Sequence, residues 1–202
     1  FAQLLQEELA PNGAQQQYLS IIVKETQRMN DLIERLLHYA RPPGGRDDLV
    51  NVNTVLLDTL QLTASRVRRK NIFLAHQLGD ELPCVYADQE QLKQVVLNLL
   101  INAIQALENR PGEGQVLATT TYDAELERVK ISVSDNGDGI ADEMIDKIFM
   151  PFFTTKEQGT GLGLAMVEKT VTNMGGAVQV TSNRGEGACF TLLLPPAKGD
   201  AC

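Results

Sequence analysis

Residues 135–164 read DNGDGIADEMIDKIFMPFFTTKEQGTGLGL, two glycine-rich turns on either side of an aromatic and polar segment. The second turn, GTGLGL at 159–164, sets Gly159, Gly161 and Gly163 at the head of a helical pattern spanning Thr160 to Met174. A glycine-rich turn feeding a helix N-terminus presents backbone N–H groups that can hold phosphate. Two established phosphate loops do not fit: there is no GxxxxGK[ST], and the glycines follow no early strand of a βαβ unit. The first turn, DNGDG at 135–139, closes a β-branched run. It is either a hairpin turn, with Asn136 and Gly137 taking positive φ, or a loop carrying a strand-end carboxylate. In the second case Asp135 needs a donor, and the exocyclic amine of adenine is one. Between the turns, FMPFFTTKEQ has the composition of a lid that orders over a ligand. Lys156 within it is either a phosphate-directed cation or a solvated loop lysine.

Working outward, NLLINA at 98–103 lies in a helix expected from Asp88, a plausible N-cap, to Glu108. Asn98 and Asn102 are four apart and share one face of that helix, in an otherwise apolar surface. They are either buried amides satisfied by neighbouring groups or, in the sharper reading, a carbonyl oxygen offered to Mg²⁺, a hard cation that accepts oxygen ligands. Further elements expected are strands at 49–52, 72–78, 115–122, 129–134, 177–181 and 189–194 and a helix at 54–69. Mixed strands and helices without a regular βαβ repeat predict an α+β fold, helices layered on one face of a mixed sheet.

Upstream, Leu19, Ile22, Thr26, Met29, Ile33, Leu36 and Ala40 recur at three- and four-residue steps on a helix expected from Ala14 to Arg41. Phe1–Leu9 reads as an earlier helix, broken by Pro11, Asn12 and Gly13. Such a hairpin cannot enclose a core alone, so it is expected to pair with a second copy in a four-helix bundle. RPPGGRDD at 41–48 ends the helical pattern and sets the expected boundary between a unit at 1–44 and one at 45–202.

The composition, 43% hydrophobic and 22% charged over 202 residues, is that of a globular protein. A net charge of −8 argues against a nucleic-acid partner, which would need clustered Lys and Arg. No apolar run approaches the roughly 20 residues that span a bilayer. Beginning at Phe1 without a leader pattern, the chain is expected to be a piece of something longer, and any membrane anchor to lie upstream. Cys84, Cys189 and Cys202, with no CxxC spacing, fit reduced cytosolic thiols.

In this order, the asparagine helix, DNGDG, the FFTTK segment and GTGLGL resemble the N, first glycine, F and second glycine boxes of sensor histidine kinases, over roughly residues 85–195. FAQLL and LIERLLHYARP resemble that family's dimerisation and phosphotransfer helices, and PFFTTKEQGTGLGL is similar to the short lid of its nitrogen-regulation type. The resemblance implies a Bergerat-type two-layer α/β sandwich that binds ATP and Mg²⁺. It implies that Asn102 coordinates the metal, Asp135 receives the adenine amine, and Gly137 and Gly139 shape the adenine pocket. Gly159, Gly161 and Gly163 would hold the lid and the phosphates. Ile140, Phe149, Thr155, Lys156, Thr160, Leu162, Leu164 and Thr191 complete the implied ATP site.

Asn98, with Asn102 a candidate catalytic residue, occupies the position where the related ATPase clamps (gyrase, MutL and the heat-shock type) carry a water-activating Glu. An amide cannot act as a base. That favours transfer of the γ-phosphoryl to a histidine, then to a response-regulator aspartate, over hydrolysis. An ATPase clamp and a non-catalytic nucleotide-binding module remain the rivals. Gln105 stands where many members carry a basic residue. The family's phosphoacceptor histidine would lie about three helical turns before Phe1. His38, in LLHYARP, lacks the HExxxPL context, and His76 reads as a strand residue with no role.

Overall fold

The computed structural model describes residues 13–40, 48–67, 72–108, 112–156 and 159–201. The expected helix over 1–9 and the boundary segment 41–47 lie outside them. The chain divides into two units, Phe1–Pro42 and Pro43–Cys202.

In the first unit the described element is helix α1, Gly13–Ala40. Along it Ile22, Met29, Ile33 and Leu36 are exposed, together with Tyr18, Ile21 and Leu37, so the predicted seam is an uncovered apolar stripe. The side chain of His38 lies outside the described residues.

The second unit contains strands β1 Asp48–Val50, β2 Ile72–Gln77, β3 Pro83–Ala87, β4 Gly114–Asp123, β5 Arg128–Asp135, β6 Ala177–Asn183, β7 Gly187–Leu194 and β8 Pro196–Ala201. Its helices are α2 Val52–Val67, α3 Gln89–Ala106, the single turn α4 Asp142–Ile145, and α5 Gly163–Asn173. Five strands form a sheet in the order β2-β4-β5-β7-β6, parallel only at β2/β4. A smaller antiparallel sheet has the order β1-β3-β8.

Alternation builds the two layers. Val129, Ile131 and Val133 of β5, Val116 and Ala118 of β4, and Phe190 and Leu192 of β7 turn inward and are buried. Against them lies α3, whose Leu92, Val95, Val96, Leu99, Leu100, Ala103 and Ile104 form a buried stripe at helical spacing. Each fully buried leucine contributes about 1.5–3 kcal/mol. Asp88 caps α3 as expected, its Oδ1 accepting from the N–H groups of Glu90 (3.0 Å) and Gln91 (3.1 Å).

Several expectations are corrected. β3, α4 and β8 were not foreseen. The helix expected from Thr160 begins at Gly163, because Gly161 takes a left-handed φ of 67°. DNGDG is no hairpin turn: β5 pairs with β4 and β7, and of the five residues only Gly139 has positive φ, at 68°. Cys189 is a free thiol, but Cys84 is disulfide-bonded, against the reading of reduced thiols throughout.

Candidate functional site

The last turn and a half of α3 is the hub of the site. Asn102 is half-buried, and a Cβ on Gly163, the first residue of α5, would lie 4.0 Å from its side-chain nitrogen. One turn on, the side chain of Gln105 accepts a hydrogen bond from Lys156 Nζ at 2.7 Å. Next to it, Ala106 underlies the first glycine turn: a Cβ on Gly137 would fall 2.9 Å from Ala106 Cβ and 3.1 Å from its carbonyl oxygen. Residues 102, 105 and 106 of one helix thus lie near all three other segments. Asn98 sits about 6 Å back along the axis, half-buried, with its Oδ1 accepting from Gln94 Nε2 at 3.4 Å.

Asp135 ends β5 half-buried, on the helix-facing side of the sheet, in register with Ala188 of β7. Its Oδ1 accepts from the N–H of Gly137 at 2.8 Å, so the turn that follows holds the carboxylate in place. Beyond the turn, Ile140 N donates to Ser182 Oγ (2.8 Å), and that hydroxyl donates to Gly187 O (2.7 Å). A side chain at Gly139 would run into Asn183 O at 2.1 Å, and one at Gly187 into Asp135 O at 1.9 Å. The β6–β7 hairpin therefore presses, backbone to backbone, on both ends of DNGDG. Asn136 ties its other side to β4, accepting from Gln115 N at 2.7 Å.

In the lid, Phe149 and Phe153 pack against the core, whereas Phe152 is exposed and takes a left-handed φ of 67°. Its N–H donates to Gly161 O at 2.9 Å. Thr155 is exposed, Thr160 half-buried with its hydroxyl accepting from Leu162 N (3.4 Å), Leu162 fully buried and Leu164 packed on the core. Lys156, though its side chain is exposed, lies where desolvation pulls its pKa below the ordinary value, opposed by the charges of Glu108 and Asp135.

Thr191 does not join this group. It pairs with Ser132 and shares a hydroxyl–hydroxyl hydrogen bond with it at 2.9 Å, on the face of the sheet opposite Asp135. Strand alternation in β5 and β7 dictates this: residues 131, 133 and 135 point toward the helices, 132 and 134 away. His76 is exposed on edge strand β2. Residues the sequence reading passed over are Ser182, Gly187 and Ala106; only the glycines of RGEG, at 184–187, hinted at a tight approach there.

Taken together, the helix layer over a mixed sheet and the four segments gathered on α3 define a nucleotide-site sandwich of the ATPase and kinase class. Residues 87–198 match the family described as Histidine kinase-, DNA gyrase B-, and HSP90-like ATPase, and residues 1–45 match the His Kinase A (phospho-acceptor) domain. The chain belongs to the sensor histidine kinases. It is 41% identical to the sensor histidine kinase ZraS of Escherichia coli over 93% of its own length and 40% of that protein's, so it spans about two fifths of such relatives. The crystal structure of full-length ShkA in complex with AMPPNP superposes with a TM-score of 0.82 at 31% identity, over 99% of this chain and 42% of that one. The catalytic domain of histidine kinase ThkA gives 0.66 at 34% identity, over 75% of this chain and 97% of that domain. ThkA in complex with the response regulator TrrA gives 0.72 at 28% identity, over 96% and 55%.

Proposed function

We propose that this chain is the ATP-binding catalytic portion of a sensor histidine kinase, with part of the dimerisation hairpin at 1–44 and the catalytic domain at 45–202. It donates the γ-phosphoryl of ATP to a histidine outside these residues, for relay to an aspartate of a response-regulator receiver domain. The observation that carries this reading is the convergence of Asp135, Gly163 and Lys156 on residues 102–106 of one helix. The adenine amine meets the Asp135 carboxylate beside Gly137. The phosphates lie toward the N-terminus of α5, whose first N–H groups favour anions.

Asn102, next to Gly163, is the residue that would hold Mg²⁺. Among the described residues no three His, Cys, Asp or Glu side chains cluster for a metal. One amide oxygen, completed by phosphates and water, suits Mg²⁺. When bound, the ion would neutralise charge on the phosphates. Asn98 supplies an amide and no base, which favours positioning a phosphoacceptor over activating water. The exposed stripe on α1 supports a homodimer, since an apolar helix face of this kind is covered by packing against other helices in a bundle. No described helix is long and apolar enough to cross a membrane. We place this portion on the cytosolic side, with any inner-membrane anchor upstream.

Asp135→Asn tests the assignment, because it replaces an acceptor facing the adenine amine with a group that is half donor. Calorimetry should show ATP affinity reduced by tenfold or more, about 1.4 kcal/mol. Unchanged affinity refutes the role of Asp135. Steady phosphate release by the chain alone, lost in Asn102→Ala, would favour an ATPase clamp instead.

A further inference from the structure

Gln105 lies on the exposed face of α3, and a lid cation has come to it from 51 residues away. The turn that presents Lys156 is tightly built. Its N–H donates to Thr154 Oγ1 (3.1 Å), its carbonyl accepts from Gly159 N (3.0 Å), and a Cβ at Gly159 would strike Thr154 Oγ1 at 2.1 Å. Gln105 itself is fixed on the exposed face of α3, one residue before the Ala106 that supports Gly137 and three after Asn102. The ammonium is thereby set on the residue between Asn102, which lies near Gly163, and Ala106, which lies near Gly137.

We infer that Gln105 is a positioning residue that docks Lys156 at the pocket mouth, making Lys156 the cation that distinguishes nucleotides by their terminal phosphates. This rests on the nucleotide reading above and adds which residues read the phosphate tail. The chemistry of the docking partner matters. A neutral amide oxygen accepts from an ammonium without neutralising it, a carboxylate at the same place would lock it in an ion pair, and a basic residue would repel it. Transfer of Lys156 from an amide to an anionic phosphate oxygen exchanges a neutral acceptor for a charged one, and hydrogen bonds of the latter kind are the stronger. The partly desolvated setting of the ammonium favours the same exchange.

The test is calorimetry of the whole chain with Mg-ATP, Mg-ADP and adenosine, on the native sequence, Lys156→Met, Gln105→Glu and two double variants. Lys156→Met should weaken ATP by roughly tenfold, the loss of one charge-assisted contact, ADP by less, and adenosine not at all. Gln105→Glu should weaken ATP in the native background more than it does in the Lys156→Met background, because the loss acts through the lysine. Gln105→Lys combined with Lys156→Met should restore most of the ATP affinity by supplying a cation at the same place. The proposal is overturned if Lys156→Met leaves ATP unchanged or lowers ATP and adenosine alike. It is equally overturned if Gln105→Glu and Lys156→Met act additively, or if the Gln105→Lys rescue fails. A native chain that binds neither adenosine nor ATP would instead refute the nucleotide site itself.

Discussion

Gly185, in the β6–β7 turn, and Gly187, the first residue of β7, stand two residues apart with φ of 86° and 100°, yet alanine should act differently at the two. At Gly185 an added Cβ meets nothing within 4 Å, so Gly185→Ala carries only the conformational cost of a left-handed residue. That cost is about 1–2 kcal/mol, or roughly 2–8 °C in melting temperature for a chain of this size. At Gly187 the same strain is joined by a collision. The Cβ would lie 1.9 Å from Asp135 O and 2.9 Å from Asn136 Cα, both backbone atoms that no rotamer change can move. Ordinary contact begins at 3.4 Å, so the end of β5 must retreat by about 1.5 Å. Because Asp135 sits at that end, Gly187→Ala should lower both stability and nucleotide affinity, the latter by at least tenfold. Urea unfolding followed by circular dichroism and ATP calorimetry on folded protein measure the two effects. Equal unfolding midpoints and equal ATP affinities for the two variants would refute the argument that the hairpin sets the carboxylate.

Asn102→Ala should remove the Mg²⁺-dependent part of ATP affinity. Titrations in excess EDTA should then coincide for variant and native chain, and a difference persisting in EDTA would contradict a metal role. On the β4–β5 hairpin, the hydrogen bond from Lys130, followed by the N–H of Leu126, holds Asp123 below its ordinary value of 3.8. A depressed carboxylate contributes stability that is full above 3.8 and fades as pH falls through the lowered value. Lys130→Met should therefore raise the Asp123 pKa in an NMR titration and flatten the acid limb of the stability curve there; an unmoved carboxyl resonance would count against the pair.

The helix that organises the site was legible because its apolar residues keep helical spacing from Leu92 to Ile104 and Asp88 supplies an N-cap side chain. Asp135 was legible as the residue that closes a strand. The small sheet was not. Strand β3 is five residues that start with Pro83, and β8, PAKGDA, shows no apolar alternation; β3 is a strand because β1 and β8 offer it two edges, and β8 because β3, more than a hundred residues away, offers it one. Thr191 shows a different failure. The resemblance implied a place for it in the ATP site, but the face of a strand is set by register, and pairing with Ser132 turns it away from Asp135. The Lys156–Gln105 contact joins residues 51 apart, which no local pattern encodes.

On the proposed nucleotide reading, the two ends of the pocket are held by different means. Around Asp135 the positions are fixed by close approaches that exclude side chains, of backbone at Gly139 and Gly187 and of the Asp135 and Ala106 side chains at Gly137. At the lid only the base is fixed in that way: Phe152 and Gly161 are both left-handed, bonded N–H to carbonyl, with Phe152 C only 2.3 Å from where a Gly161 Cβ would sit. A bulky residue in that conformation costs about 1–2 kcal/mol and persists only where its surroundings enforce it. The exposed Phe152 is therefore held by the clamp, not by burial of its ring. With both lid ends clamped, rotation of the Lys156 side chain alone would carry it, on the proposed reading, from Gln105 to a phosphate, while the strand end that carries Asp135 stays where the hairpin presses it. On the proposed nucleotide reading, the adenine end would rest on these fixed glycine contacts and the phosphate end on Lys156.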